Sequence, residues 1–132
     1  MSTASPPLMD LQVAGLHAAS QDFIDAAWSE AVGLHFARAR IDADACDSKV
    51  ELLDTLGHVL GFPEWFGCNW DALADCLMDL SWLPAPGYLL VIEHAGAFAR
   101  RRPDCWETAA DVLQQACHTW RQREVPFWVL TS

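Results

Sequence analysis

The sequence predicts an α/β domain built on a small, largely parallel β-sheet of three or four strands, packed with helices. Two observations carry that prediction. Tyr88–Glu93 (YLLVIE) and Phe127–Leu130 (FWVL) are continuous apolar runs bounded by turn residues, the pattern of strands buried on both faces. The segments between strand-like runs repeat at the helical period, and no two-residue hairpin signal occurs, so the strands are joined by crossovers. A length of 132 residues, 52% of them apolar, fits one domain with a real core.

In chain order, Met1–Asp10 reads as a flexible tail. Residues 11–132 read as a single domain, in which 11–33 supply a strand and a helix. Leu11–Leu16 is the short strand. Ser20 caps a helix through Val32 that turns Phe23, Ile24, Ala27, Trp28 and Ala31 to one side and stops at Gly33. Leu34–Ile41 alternates as a strand, with Leu34, Phe36, Ala37, Ala39 and Ile41 available for burial. After a loop, Ser48 and Glu51 form a capping box for a helix. That helix is expected to carry Val50, Leu53, Leu56 and Leu60 inward and to end at Gly61-Phe62-Pro63. A second helix starts after Asn69, and Pro84-Ala85-Pro86-Gly87 turns the chain into the Tyr88 strand. Ala95–Pro103 reads as an irregular basic connection. Asp104 is placed to cap a helix to about Arg123, with Trp106, Ala109, Ala110, Leu113, Ala116, Cys117 and Trp120 inside.

Net charge is −10, from 18 acidic and 8 basic residues. This argues against nucleic acid or an anionic membrane as a direct partner and favours a cationic protein. No apolar run reaches the roughly 18 residues of a membrane span. Five cysteines, with no CxxC pair and no signal-peptide pattern at Met1–Asp10, point to free thiols in the cytoplasm. Cys76 falls on the inner stripe of its helix and reads as a buried, inert thiol. Cys68 sits in the turn before that helix, with no His close in sequence.

The stretch Gly61–Trp82 concentrates the chemistry. It holds Phe62, Trp65, Phe66, Trp70 and Trp82 with Asp71, Asp75 and Asp79, and no Lys or Arg occurs between Lys49 and Arg100. Asn69 is the expected cap, accepting from Asp71 or Ala72. Trp70, Leu73, Cys76, Leu77 and Leu80 form the apolar stripe, and the three aspartates, four residues apart, share the opposite face. Like charges at that spacing cost an isolated helix roughly 0.2–0.5 kcal/mol per pair. Several readings of the row compete. A Mg²⁺ site lacks an accompanying phosphate loop or basic residue. A solvated acidic face is the ordinary fate of surface aspartates. A protein-binding face fits the flanking aromatics Trp65, Phe66 and Trp82. A carboxylate pair for glycoside hydrolysis needs a cleft, whereas a helix face is convex. Cys105, Cys117 and His118 lack the spacing of a zinc site.

Residues 62–67 (FPEWFG), 69–73 (NWDAL) and 75–77 (DCL) together closely resemble the barstar family of intracellular inhibitors of barnase-like ribonucleases. The resemblance extends through Tyr88–His94 and Phe127–Ser132, covering Leu34–Ser132 and leaving Met1–Gly33 as an N-terminal extension. It implies a non-catalytic, cofactor-free protein whose acidic helix and preceding loop plug the active site of a basic ribonuclease. By motif, Asp75 becomes the main phosphate mimic and Asp71 a second contact. Trp65 takes the place of an aromatic that covers the enzyme's catalytic histidine, and Phe66, Gly67 and Asn69 shape the loop. Ala74 stands where the family's best-known member has a large aromatic, and His118 or a close neighbour where it has a glutamate contact. Trp82 lies in a longer linker after the helix. Two other functions are kept beside this one: a binding module of the same fold for another basic protein, and a carboxylate–metal enzyme.

Overall fold

A computed structural model describes residues 6–64 and 66–132. The elements run β1 (Leu16–Ala18), α1 (Gln21–Gly33), β2 (Ala37–Asp42), a 3₁₀ turn (Ala43–Ala45), α2 (Lys49–Leu60), α3 (Trp70–Asp79), β3 (Tyr88–Glu93), α4 (Ala95–Arg101), α5 (Pro103–Gln122) and β4 (Phe127–Thr131). The four strands form one parallel sheet in the order β1-β4-β3-β2. Tyr88 lies opposite Ala37 on one side and Phe127 on the other, and Leu16 pairs with Val129.

Because side chains alternate along a strand, the two central strands feed two cores. Tyr88, Leu90, Ile92, Phe127 and Val129 face α2, α3, α4 and α5. Leu89, Val91, Trp128 and Leu130 face α1, through its Ile24, Ala27 and Ala31. Edge strand β2 is guarded by charge, with Arg40 paired to Glu93 and Asp25 and the guanidinium of Arg38 4.3 Å from the ring centre of Trp28.

The caps read from the sequence at Ser20, Ser48 and Gly61 hold. Ser20 accepts from Phe23 N–H at 3.2 Å, Ser48 from Glu51 N–H at 3.2 Å, and α2 ends on Gly61 in the left-handed region (φ 67°). Several expectations need correction. Residues 6–10 are not a tail: Leu8 is 1% exposed, and its carbonyl accepts from the Trp128 indole at 2.9 Å. Met1–Ser5 lie outside the described residues. The first strand is Leu16–Ala18 rather than Leu11–Leu16, because residues 11–13 form a turn whose bonds return to Asp10. The second strand starts at Ala37, since His35 takes a left-handed conformation (φ 61°). Val50 is 57% exposed, and Leu52 and Gly57 are buried in α2 with Leu53, Leu56 and Leu60. Val50 sits roughly 90° round the helix from the centre of that buried face.

Ala95–Arg101 is a helix, not an irregular connection, anchored by buried Ala95 and Phe98. Its basic end is used internally: Arg101 donates to Asp44 at 2.7 Å and to the carbonyl of Cys46 at 2.9 Å, and Arg102 to the carbonyl of Asp47 at 2.8 Å. Asp104 is not the cap of α5. Arg102 holds that position with Pro103 at the first helical residue, and Asp104 lies in the first turn, where its charge suits the helix dipole.

Candidate functional site: an acidic helix held at both ends

The candidate site is α3 with the loop before it. Asn69 adopts an extended backbone and accepts from the Ala72 N–H at 2.7 Å, while its own amide reaches the Gly67 carbonyl at 3.5 Å. One side chain thus fixes both the start of the helix and the turn that enters it. Cys68 in that turn and Leu80 at the helix exit are both left-handed (φ 49° and 48°), a conformation that non-glycine residues adopt only when their surroundings hold them.

Leu73, Cys76, Leu77 and Leu80 are buried, with Trp70 half-buried beside them, as the sequence pattern requires. Asp71, Asp75 and Asp79 are exposed on the opposite face. From first to last the row spans about 12 Å, at 1.5 Å rise per residue. Among the described residues none of the three makes an ion pair. Nor do three His, Cys, Asp or Glu side chains come together there as a metal site. Ala74 is half-buried and small, so it leaves Asp71 and Asp75 unshielded along that flank.

Support for this ridge comes from elements distant in sequence. The indole of buried Trp120 on α5 donates to the Leu77 carbonyl, and Arg123 donates to the Met78 carbonyl. Both carbonyls belong to the last turn of α3, where intrahelical partners run out, and the guanidinium suits the negative end of the helix dipole. At the other end, the Lys49 ammonium lies 5.9 Å from the Trp70 ring centre. The cations missing from the α3 sequence arrive at its two ends and leave the carboxylate row bare.

Loop aromatics are partly structural. Phe66 meets Phe62 edge-on, with centroids 4.9 Å apart, and lies over Gly57, where an added Cβ would come within 3.1 Å of the ring. Trp82 also packs edge-on against Phe62 and donates its indole N–H to the Leu60 carbonyl at 3.1 Å. It therefore caps α2, and only its half-exposed ring remains for a partner. Gly67 and Asn69 are exposed, while Trp65 lies outside the described residues.

His118 is not brought to this face. It is exposed on α5, lining a groove with Gln114, Cys117, Arg121 and residues 12–17, whereas α3 is met by Thr119, Trp120 and Arg123. A 100° step per residue puts those two sets on different flanks of α5.

Burial raises the pKa of four thiols, those of Cys46, Cys76, Cys105 and Cys117. Cys76 is raised by burial and then by the neighbouring Asp75 and Asp79 charges. Burial pushes Cys117 up to about 12. All five cysteines are free.

No curated protein gives a significant match to the chain. The family model described as Barstar (barnase inhibitor) matches residues 36–132. That span holds the acidic helix, its capping loop and the three strands β2, β3 and β4, and the chain belongs to the barstar family.

Proposed function

We propose that this protein inhibits a basic, barnase-like ribonuclease by docking α3 and the loop 62–69 over the enzyme's active site. The observation that carries the reading is the row Asp71, Asp75 and Asp79: three exposed carboxylates without ion pairs among the described residues, on a helix clamped at both ends, in a member of an inhibitor family. Such a ridge presents negative charge at fixed spacing and needs little ordering on binding, which favours affinity. A net charge of −10 steers it toward a cationic enzyme.

Asp75, central in the row, is assigned the deepest contact, with Asp71 second and Asp79 at the rim. Trp65, Phe66, Gly67 and Asn69 form the loop half of the interface, Ala74 its flat centre and Trp82 its edge. His118, on the other flank of α5, contacts a partner only if that partner wraps round the helix. Inhibition of a secreted-type nuclease before export places the protein in the cytoplasm, in keeping with its free thiols.

The test is titration of barnase-type enzymes with the protein while RNA cleavage is followed. Activity should fall linearly to an equivalence point near one to one. Full activity at excess inhibitor across several such enzymes would sink the proposal. Capture of a basic protein that is not a nuclease would turn it toward a binding module of the same fold.

A further inference from the structure

Between α2 and the loop lies a cleft of about 250 Å³, whose lining includes Asp54, Gly57, His58, Phe62, Phe66 and Cys68. It is smaller than the roughly 300–1,000 Å³ of small-molecule sites, so it suits a single side chain. Asp54 and His58 stand one helical turn apart on α2, both exposed. Among the described residues Asp54 has no ion-pair partner, and no Lys or Arg lines the cleft. Phe62 and Phe66, packed edge to face, supply aromatic walls, and the absence of a side chain at Gly57 lets Phe66 seat against the helix.

A free carboxylate beside aromatic rings is the chemistry that holds a guanidinium, by a forked hydrogen bond to the oxygens and attraction to the ring. The cleft shares Phe66 and Cys68 with the loop of the proposed interface, so a protein docked on that loop lies beside it. We infer that this cleft receives one arginine side chain of the bound ribonuclease, extending the interface from α3 across the loop onto α2. This rests on the inhibitor reading above.

The inference is tested on the free full-length protein by following backbone amide resonances during titration with methylguanidinium chloride, against sodium chloride at equal ionic strength. Shifts centred on Gly57, His58, Phe66 and Cys68, lost in Asp54→Asn, are expected. No shifts beyond the salt control, or shifts that survive Asp54→Asn, overturn the inference. With the ribonuclease, Asp54→Asn should weaken binding about tenfold, and the loss should disappear when one arginine of the enzyme is replaced by alanine. Unchanged affinity in Asp54→Asn, alongside a large loss in Asp75→Ala, overturns the cleft and leaves the inhibitor reading standing. Wild-type protein that binds no such enzyme overturns that reading and with it the source of the arginine, whatever the amide shifts show.

Discussion

The indole nitrogen of Trp120 lies 2.7 Å from the carbonyl oxygen of Leu77, a buried contact between α5 and the last turn of α3. Leu77 has no helical N–H left to pair with, because α3 ends at Asp79. Trp120→Phe keeps a ring against Tyr88 and Phe127 but removes the donor. An unpaired buried carbonyl costs about 1–3 kcal/mol, so urea unfolding should show a loss of that size. A midpoint unchanged from wild type would mean that packing alone holds the helix end.

Asp75→Asn should move stability and binding in opposite directions. Asp75 is the middle charge of the row, so its removal relieves two i, i+4 repulsions, each roughly 0.2–0.5 kcal/mol. The free protein should become slightly more stable. Affinity for the ribonuclease should fall by at least about 2 kcal/mol, the scale of an interface hot spot, and more than in Asp79→Asn. Calorimetry of the free variants and of their complexes checks both signs; equal binding losses at the two positions would remove the ranking.

His94 Nδ1 lies 2.8 Å from a carboxylate oxygen of Asp42, joining the ends of β3 and β2. The hydrogen bond and the charge of Asp42 raise the His94 pKa, and the bond to His94 lowers that of Asp42. The histidine's share of stability is therefore complete below its unfolded value of about 6.5 and fades as pH rises through the folded value. The carboxylate's share is present above its unfolded value of about 3.9 and is lost on acidification. Together they act chiefly between those limits. An NMR titration should place the His94 midpoint above 6.5, and Asp42→Asn should lower it.

Gly87, just before β3, is a steric requirement. A Cβ there would fall 2.4 Å from ring atoms of Phe36, which packs in the core under α1. Gly87→Ala should destabilise the fold by about 1–3 kcal/mol, the range for overpacking, and Phe36→Leu in the same chain should recover part of it. Two independent, additive losses in denaturant unfolding would show that the clash is not the cause.

Much of the architecture was legible because its signals are local. Ser20, Ser48 and Asn69 each mark a helix start by the side-chain oxygen a cap needs, and Tyr88–Glu93 and Phe127–Leu130 are apolar enough to be central strands. The aspartate row followed from periodicity, and its proposed part in an interface from the motif around it. What escaped depends on contacts between distant residues. Leu8 is buried because Trp128 lies beneath it, and α4 is short and runs into the arginines 100–102 that read as loop. No pattern along the chain shows that Trp120 and Arg123 complete α3, or that His118 turns the other way. Asp54, His58 and Cys68 share a cleft only because Gly61 reverses the chain after α2.

The family match begins at residue 36, but the packed core does not. Leu8, Ala14, Ile24, Ala27 and Ala31 form half of the second core, and β1 covers the outer edge of β4. A chain cut to the homologous span would expose the apolar side of Leu89, Val91, Trp128 and Leu130 together with an unpaired strand edge, a template for self-association. Kinship and packing thus have different borders in this molecule: the span that matches the family is part of a larger packed unit that reaches back to Leu8.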